Sequence, residues 1–232
     1  MKTKIFCDTA DYNIVKKFLN NQIVQGYTTN PSLMRAAGAK NYKKYAEKIL
    51  KICSRKPISF EVFGDDSDEM IKQGLKINTW GGNVYVKIPV TNSKGKFSGK
   101  AIKYLSDKNV KLNITAVYTA QQVRKIIRSL NKKSHSIISI FAGRMADVGK
   151  DPIPVFKESL KLSKKYKNIK ILWASTREPY NLIQAEKIDC DIITMPEAVI
   201  EKVMRFGKSS QSLTTDTVKK FLKDSKDSNF KL

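Results

Sequence analysis

The sequence contains few residues of the types that build disulfide frameworks and zinc sites. It has one histidine and three cysteines in 232 residues, and Cys7, Cys53 and Cys190 are far apart and outside any CxxC spacing. We therefore expect no disulfide framework and no metal site. No apolar run approaches the ~20 residues of a membrane-spanning helix, and the amino-terminal residues lack the apolar stretch of a signal peptide. These absences predict a cytoplasmic protein with no membrane partner.

Acidic residues are also scarce, with 21 Asp and Glu against 44 Lys and Arg, so the formal net charge is +23. Of the basic residues, 37 are lysines and only 7 are arginines, and the lysines are scattered over helix-like segments such as 42–56 and 156–170. Proteins that read nucleic acid usually concentrate arginines and aromatic residues in one element. The pattern favours a solvated, lysine-rich surface without a specific nucleic-acid partner. A positive field would still attract anionic small substrates such as sugar phosphates.

Short β-rich segments alternate along the chain with longer amphipathic segments, the pattern of an α/β fold. The predicted strands are 4–9, 24–29, 58–63, 84–90, 111–117, 136–143, 170–176 and 190–195. The predicted helices are 11–20, 42–53, 67–77, 99–108, 120–131, 154–166, 180–186 and 198–205. Eight such pairs fit either a doubly wound open sheet or a closed (β/α)8 barrel.

The turn after the first strand favours the barrel. A nucleotide-binding open sheet normally has a glycine-rich turn there, whereas this chain has Asp8-Thr9-Ala10-Asp11. We predict that residues 1–205 form a (β/α)8 TIM barrel that is the catalytic domain. Residues 206–232 are predicted to be an appended tail with a short helix at 215–223, which could pack on a neighbouring subunit.

Polar residues recur where the predicted strands end, which is where barrel enzymes carry out their chemistry. The residues are Asp8, Thr28, Asn30, Glu61, Lys87, Asn113, Thr115, Ser139, Phe141, Ser175 and Arg177. Within each strand they keep the same parity, so they can point into one common cavity. The eighth strand is expected to supply only Met195-Pro196.

Lys87 is the focus of this set because it lies in an otherwise apolar strand. Burial of an ammonium group is costly and favours the neutral amine, which can attack a ketone carbonyl to form a Schiff base. The alternative is a lysine at the strand edge whose stem lies on apolar surface while its head reaches water. Its predicted neighbours at the other strand ends favour the nucleophile.

The other polar residues fit the steps of carbon–carbon cleavage next to an iminium. Asp8 is a candidate base for the hydroxyl proton of the departing carbon, or else a helix N-cap, a role that Asp11 could fill instead. Glu61 and Thr115 are candidates for proton transfer through water, or else a buried structural pair. Asn30 could hold substrate hydroxyls, as could Asn113, and the alternative for both is turn or loop chemistry.

A phosphate group requires fixed cations and hydroxyls. Arg177 with Ser175, after the seventh strand, and Arg144, after the sixth, meet that need. The alternative for Arg177 is a salt bridge to Glu178 or another carboxylate. His135 precedes the sixth strand, so we expect it near the opposite end of the barrel and assign it no role.

Several motifs together resemble those of the transaldolases, in particular the short subfamily that also contains the fructose-6-phosphate aldolases. They are Phe6-Cys7-Asp8-Thr9-Ala10, Gly26-Tyr27-Thr28-Thr29-Asn30-Pro31-Ser32-Leu33, Val86-Lys87-Ile88-Pro89, Leu112-Asn113-Ile114-Thr115-Ala116, Ile140-Phe141-Ala142-Gly143-Arg144 and Ala174-Ser175-Thr176-Arg177. The resemblance runs in order from about residue 4 to about residue 200.

The resemblance implies Lys87 as the Schiff-base lysine, Asp8 as the acid/base, and Glu61 with Thr115 at the catalytic water. The substrate-binding residues that it implies are Asn30, Thr28, Asn113, Ser139, Phe141, Arg144, Ser175 and Arg177. The implied reaction converts sedoheptulose 7-phosphate and glyceraldehyde 3-phosphate to erythrose 4-phosphate and fructose 6-phosphate in the pentose phosphate pathway. The resemblance implies no metal or organic cofactor, and it implies a homo-oligomer, a pentamer or a decamer.

Two positions distinguish the activities within the family. The fructose-6-phosphate aldolases resemble one another in a tyrosine where this chain has Phe141 and in a glutamine where it has Glu61, so both residues favour transaldolase. Trp173 stands where members of the family usually have a small residue. We expect its side chain to share a face with Ser175 and to fill the barrel centre or narrow the pocket. Thr176 replaces a typical apolar residue, with little expected consequence if it faces the helices. The alternatives are a fructose-6-phosphate aldolase and a non-catalytic basic binding or regulatory barrel.

Overall fold

The computed structural model describes residues 2–228 of the chain. Within this range, eight parallel strands close into a barrel in which each strand pairs with its neighbours in sequence. The strands are β1 (Lys4–Asp8), β2 (Val24–Thr28), β3 (Ile58–Glu61), β4 (Val84–Pro89), β5 (Leu112–Val117), β6 (Ser136–Phe141), β7 (Ile169–Ala174) and β8 (Ile192–Met195). The predicted (β/α)8 TIM barrel is confirmed.

Eleven helices are present in the described part of the chain, three more than the eight predicted for the barrel. They are α1 (Tyr12–Phe18), α2 (Pro31–Ala36), α3 (Tyr42–Ile52), α4 (Ser67–Asn78), α5 (Gly99–Asp107), α6 (Ala120–Ser129), α7 (Ala142–Ala146), α8 (Ile153–Ser163), α9 (Tyr180–Lys187), α10 (Glu197–Val203) and α11 (Ser210–Asp227). The additional helices α2 and α7 are single short turns without an apolar stripe, so periodicity did not predict them. Both begin directly at the ends of strands and help to shape the rim of the barrel.

The barrel has two apolar regions. Most buried side chains point outward from the strands and pack against the surrounding helices. A smaller cluster fills the interior and consists of Phe6, Ile137, Leu172, Ala174 and Ile192. The cluster occupies the middle and the amino-terminal end of the barrel, so the carboxyl end remains open to polar side chains.

The side chain of Trp173 lies outside the barrel, so the expectation that it narrows the pocket is wrong. Leu172 and Ala174 are the residues of β7 that point inward, while Trp173 is buried in the helix layer and stacks on Phe156 of α8 at 4.6 Å between ring centroids. The parity argument failed at Ser175, because its backbone has a φ of 63° and interrupts the alternation after the strand ends.

The last described helix, α11, is longer than the predicted 215–223 helix at both ends. Ser209 caps it, since its side chain accepts a hydrogen bond from the Ser212 N–H at 3.2 Å. None of its residues is buried. Residue 1 and residues 229–232, which belong to the predicted barrel and tail, lie outside the described residues. No helix in residues 2–228 has the length and apolar character needed to cross a membrane.

Candidate active site

A cavity of about 210 Å³ opens at the carboxyl end of the barrel. Most of the site residues predicted from the sequence line it, namely Asp8, Thr28, Asn30, Lys87, Thr115, Ser139, Phe141, Arg144, Ser175 and Arg177. The two others, Glu61 and Asn113, lie behind this lining and contact residues that belong to it. The structure therefore brings the predicted set together around one small polar space.

Lys87 lies on β4, and only 6% of its surface is exposed. Its Nζ donates a hydrogen bond to the backbone carbonyl of Thr29 at 2.9 Å and lies 3.4 Å from Oε2 of Glu61. The strand register explains this geometry, since Glu61 of β3 and Asn113 of β5 are the direct neighbours of Lys87 in the sheet. The amine is thus held by its neighbours with its head at the cavity.

Asp8 lies at the end of β1, and its carboxylate accepts a hydrogen bond from the Thr28 hydroxyl at 2.6 Å. Burial raises the pKa of Asp8 above its ordinary value of 3.8, and the charge of Lys87 and the Thr28 hydrogen bond oppose this only in part. Asp8 does not cap the following helix, because Asp11 accepts the N–H groups of Asn13 and Ile14 in that role. The carboxylate is therefore available to the cavity.

Glu61 and Thr115 lie on either side of Lys87. Burial raises the pKa of Glu61 although the adjacent Lys87 ammonium lowers it, and the backbone N–H of Glu61 donates to the Tyr42 hydroxyl at 2.9 Å. The Thr115 hydroxyl is buried and has no hydrogen-bond partner within residues 2–228. Burial of a hydroxyl without a partner is costly, so this group is available to a bound water or substrate.

The two predicted asparagines differ in their surroundings. Asn113 is fully buried, where its Oδ1 accepts the Ser139 hydroxyl at 2.7 Å and its Nδ2 donates to Ser59 at 3.0 Å. Asn30 lines the cavity and also caps α2, since its Oδ1 accepts the Leu33 N–H at 2.9 Å. Asn113 therefore holds the Ser139 side chain in position. Asn30 both caps a helix and contributes to the lining of the cavity.

Two arginines form the cationic side of the cavity. Arg177 does not pair with Glu178 but with Asp147 beyond α7, and its Nε lies 3.0 Å from Oδ1 of that carboxylate. The guanidinium lowers the pKa of Asp147. Arg144 has no ion-pair partner in the described part of the chain and stands 5.6 Å from the centroid of the Phe141 ring. Two cations and one carboxylate leave this side with a net positive charge.

The structure adds lining residues that the sequence reasoning missed. Thr194 lines the cavity, and its Oγ1 lies 2.6 Å from Oγ1 of Thr28, so the expectation that the eighth strand supplies only Met195-Pro196 is wrong. Thr176 also lines the cavity rather than the helix layer and donates to the Thr194 carbonyl at 2.7 Å. The signal for Thr194 was its parity with Ile192, which points into the barrel.

The remaining polar residues of interest lie away from this cavity. His135 lines a separate cavity at the amino-terminal end of the barrel, together with Lys4 and Ile192, as its position before the sixth strand predicts. The three cysteines are buried, as expected of small apolar side chains. Burial raises the pKa of Cys53 to about 11, so its thiol is not a nucleophile at neutral pH.

Comparison with known proteins identifies the family. Residues 5–232 match the sequence model of the transaldolase/fructose-6-phosphate aldolase family. The chain belongs to this family. Probable transaldolases from Nitrosopumilus maritimus and Thermoplasma volcanium are each 34% identical to it, and each alignment covers 95% of this chain and 94% of the relative. These relatives are similar over nearly their whole length.

Solved structures of low sequence identity share the barrel. A putative phosphonomutase from Burkholderia cenocepacia superimposes with a TM-score of 0.59 at 9% identity, covering 94% of both chains. The 3-hexulose-6-phosphate synthase from Salmonella typhimurium gives 0.57 at 12% identity, covering 87% of this chain and 91% of that one. At these identities the likeness shows the fold alone.

We predict that Gly143→Ala damages the cationic side of the cavity. A Cβ at this position would lie 1.7 Å from the carbonyl oxygen of Ser175, so the segment that carries Ser175 and Arg177 would have to move. Because the residues expected to bind the anion would be displaced, we expect a loss of affinity for inorganic phosphate in calorimetric titration, together with a lower melting temperature.

The matched control for this prediction is Gly82→Ala, because a Cβ there meets nothing within 4 Å. The control should bind phosphate and melt as the wild type does. Wild-type phosphate affinity in Gly143→Ala would contradict the assignment of a structural role to this close approach.

Proposed function

We propose that this protein is a transaldolase. It would transfer a dihydroxyacetone unit from sedoheptulose 7-phosphate to glyceraldehyde 3-phosphate, giving erythrose 4-phosphate and fructose 6-phosphate in the pentose phosphate pathway. The observation that carries the proposal is the buried amine of Lys87, which lies 3.4 Å from Glu61 in a cavity that Asp8 and Thr115 also line. A buried lysine amine can act as a Schiff-base nucleophile, and the carboxylates beside it can transfer the protons that the reaction needs.

In the first step, Lys87 gives a proton to the carboxylate of Glu61, 3.4 Å away, and its neutral amine then attacks the ketone carbon of the donor sugar. The new C–N bond gives a carbinolamine, and loss of its hydroxyl as water gives the iminium. Glu61 has a raised pKa and lies next to the amine, so it can supply the proton that the departing hydroxyl needs. The unpartnered Thr115 hydroxyl would orient the water that leaves and later returns.

In the second step, Asp8 takes the proton of the hydroxyl on the carbon beyond the bond that breaks. The electron pair of that carbon–carbon bond moves into the iminium and leaves an enamine on Lys87, while the aldehyde departs. The acceptor aldehyde then reacts by the reverse path, in which Asp8 returns the proton. Its raised pKa makes Asp8 a stronger base than an ordinary aspartate.

The cationic side supports sugar phosphates as substrates. Arg144, Arg177 and the Ser175 hydroxyl lie on one side of the cavity, where they could hold the phosphate while Lys87 reacts at the other end of the sugar. Arginine forks suit phosphate oxygens. The presence of these two arginines and this serine in one small cavity also counts against the hypothesis of a non-catalytic basic barrel, because a binding protein of that kind does not need them there.

Phe141 supports transaldolase over fructose-6-phosphate aldolase. Its ring lines the cavity and is packed between Tyr118, at 5.8 Å between ring centroids, and Arg144. A phenyl ring cannot hold or activate a water molecule, whereas a tyrosine hydroxyl in its place could. The enamine on Lys87 is therefore protected from early protonation and survives until an acceptor aldehyde arrives.

Borohydride trapping tests the Schiff base. Reduction in the presence of fructose 6-phosphate should fix a three-carbon adduct on the peptide that contains Lys87, because reduction converts the imine to a stable amine. Peptide mass mapping locates the adduct. Lys87→Ala should give none, and Lys4→Ala, an exposed lysine at the other end of the barrel, should still be labelled on Lys87. A folded wild-type sample without an adduct on any lysine would refute the mechanism.

Phe141→Tyr tests the choice between the two activities. A hydroxyl at this place should let water protonate the enamine, so we expect more dihydroxyacetone released from fructose 6-phosphate and less transfer to an added aldehyde. The measurement is the ratio of the two products. Phe63→Tyr, at an exposed ring outside the cavity lining, is the control. An unchanged ratio in Phe141→Tyr would remove the support that this residue gives.

We also propose that the protein is a homo-oligomer held in part by α11. The helix has no buried residue, yet Leu213, Val218, Phe221 and Leu222 are exposed and fall on one half of its circumference at 100° per residue. An exposed apolar face of this kind is typical of an interaction surface.

Sedimentation velocity on the full chain tests this proposal. We expect the wild type to sediment well above the 26.3 kDa of one chain, and Leu213→Asp/Phe221→Asp to shift it to smaller species. Lys219→Gln/Lys223→Gln changes the net charge by the same two units on the opposite face of α11, where both lysines are exposed, and should leave the assembly intact. A monomeric wild type would contradict the proposal.

A further inference from the structure

A short chain of hydroxyl groups connects β8 to the carboxylate of Asp8. Oγ1 of Thr28 lies 2.6 Å from Oδ1 of Asp8 and 2.6 Å from Oγ1 of Thr194. Both threonines are buried, with exposures of 2% and 4%. Three strands that meet side by side in the closed barrel, β2, β1 and β8, therefore place three oxygens in one row.

The number of hydrogens fixes the direction of this chain. A threonine hydroxyl carries one hydrogen, and an ionised carboxylate can only accept hydrogen bonds. Thr28 must therefore donate its hydrogen to Asp8. The contact between the threonines is then a bond that Thr194 donates and Thr28 accepts. A hydroxyl that accepts one hydrogen bond is polarised and donates the next one more strongly.

The hydrogen bond from Thr194 also restricts the rotation of the Thr28 hydroxyl about its C–O bond. Because Thr28 accepts this bond, its own hydrogen cannot point toward Thr194, and it is donated to its other partner, Asp8. Thr194 is itself fixed by β8, which pairs with β1 and β7, and its backbone carbonyl also accepts the Thr176 hydroxyl at 2.7 Å. The geometry of the whole chain is therefore set by the barrel and needs no ligand.

Other charges also act on Asp8 and must be counted. The Lys87 ammonium on β4 lowers the pKa of Asp8. Glu61 on β3 is a second carboxylate whose pKa is raised by the charge of Asp8, and Cys7 is the neighbouring thiol, whose burial holds it neutral. Arg144 and Arg177 face Asp8 across the cavity. None of these groups contacts Thr194 through a hydrogen bond, so a change at Thr194 reaches Asp8 through Thr28.

We propose that Thr194 is a positioning residue that directs the Thr28 hydroxyl at Asp8 and so keeps Asp8 ionised, as a base, down to lower pH. The residue acts through Thr28 and needs no contact with the substrate for this role. The consequence for catalysis rests on the function proposed above, in which Asp8 takes and returns the proton at the bond that breaks. The effect on the carboxylate itself does not rest on that function.

The direct test is a carbon-13 NMR titration of the aspartate carboxyl carbons, with the Asp8 signal assigned from its loss in Asp8→Asn. Thr194→Val keeps the shape of the side chain and removes the hydroxyl. We expect it to raise the titration midpoint of Asp8 by about half a pH unit, the effect of losing one modest hydrogen bond. Thr194→Ser should restore the wild-type midpoint, and Thr194→Ala is a second variant without the hydroxyl.

Two further variants separate this role from a general loss of packing. Thr176→Val removes the hydrogen bond to the Thr194 carbonyl but leaves the hydroxyl chain to Asp8 intact. The titration midpoint of Asp8 in this variant should therefore remain at the wild-type value. Thr28→Val/Thr194→Val should titrate as Thr28→Val alone does, because Thr194 has no path to Asp8 without Thr28. A wild-type midpoint in both Thr194→Val and Thr194→Ala, or additive shifts in the double variant, would overturn the proposal.

The pH dependence of kcat/KM for sugar transfer tests the catalytic consequence, because it reports the ionisation of the free enzyme. In Thr194→Val the acid limb should move to higher pH by the same amount as the NMR midpoint, with little change in kcat/KM on the plateau. A moved midpoint without any sugar transfer in the wild type would leave the role of Thr194 standing and refute the proposed function. A moved midpoint with an unmoved acid limb would refute the link between Asp8 and the rate.

Discussion

The site depends on the burial of one ammonium group between two carboxylates. Lys87 has little contact with water, and its charge is balanced by Glu61 at 3.4 Å and by Asp8 across the cavity. Each carboxylate is itself desolvated. The free-energy cost of burying each charge is offset by the opposite charges beside it. In the proposed function, protons pass among these three groups while the imine forms and breaks.

The closed barrel produces this arrangement through its register. Adjacent parallel strands place Glu61, Lys87 and Asn113 side by side, so three side chains from three strands share one level without any loop to hold them. The apolar cluster in the barrel interior packs against Phe141 of the cavity lining. Positions on strands are more rigid than positions on loops. In the proposed function the reacting side chains accordingly lie on strands, while the arginines lie on the turns and short helices that follow them.

The alternation of strands and helices was sufficient to predict the barrel, because eight pairs with no glycine-rich turn leave few other folds. Side-chain direction was predictable where a strand kept its alternation, as at Asp8, Lys87 and Thr115. It failed after β7, where the left-handed backbone of Ser175 follows the strand and Trp173 points to the helices. At Thr194 the direction could have been read from its parity with Ile192, but its contact with Thr28 spans 166 residues of sequence, which local patterns cannot report.

The close approach of Gly143 to the Ser175 carbonyl has a mechanical consequence. It joins the start of α7, which carries Arg144, to the turn after β7, which carries Arg177, and the Arg177–Asp147 ion pair adds a second link between the same two segments. The two guanidinium groups are consequently carried by segments that are linked to each other at two points. In the proposed function, the entropy of ordering these two groups is therefore lost when the chain folds and not each time a substrate binds.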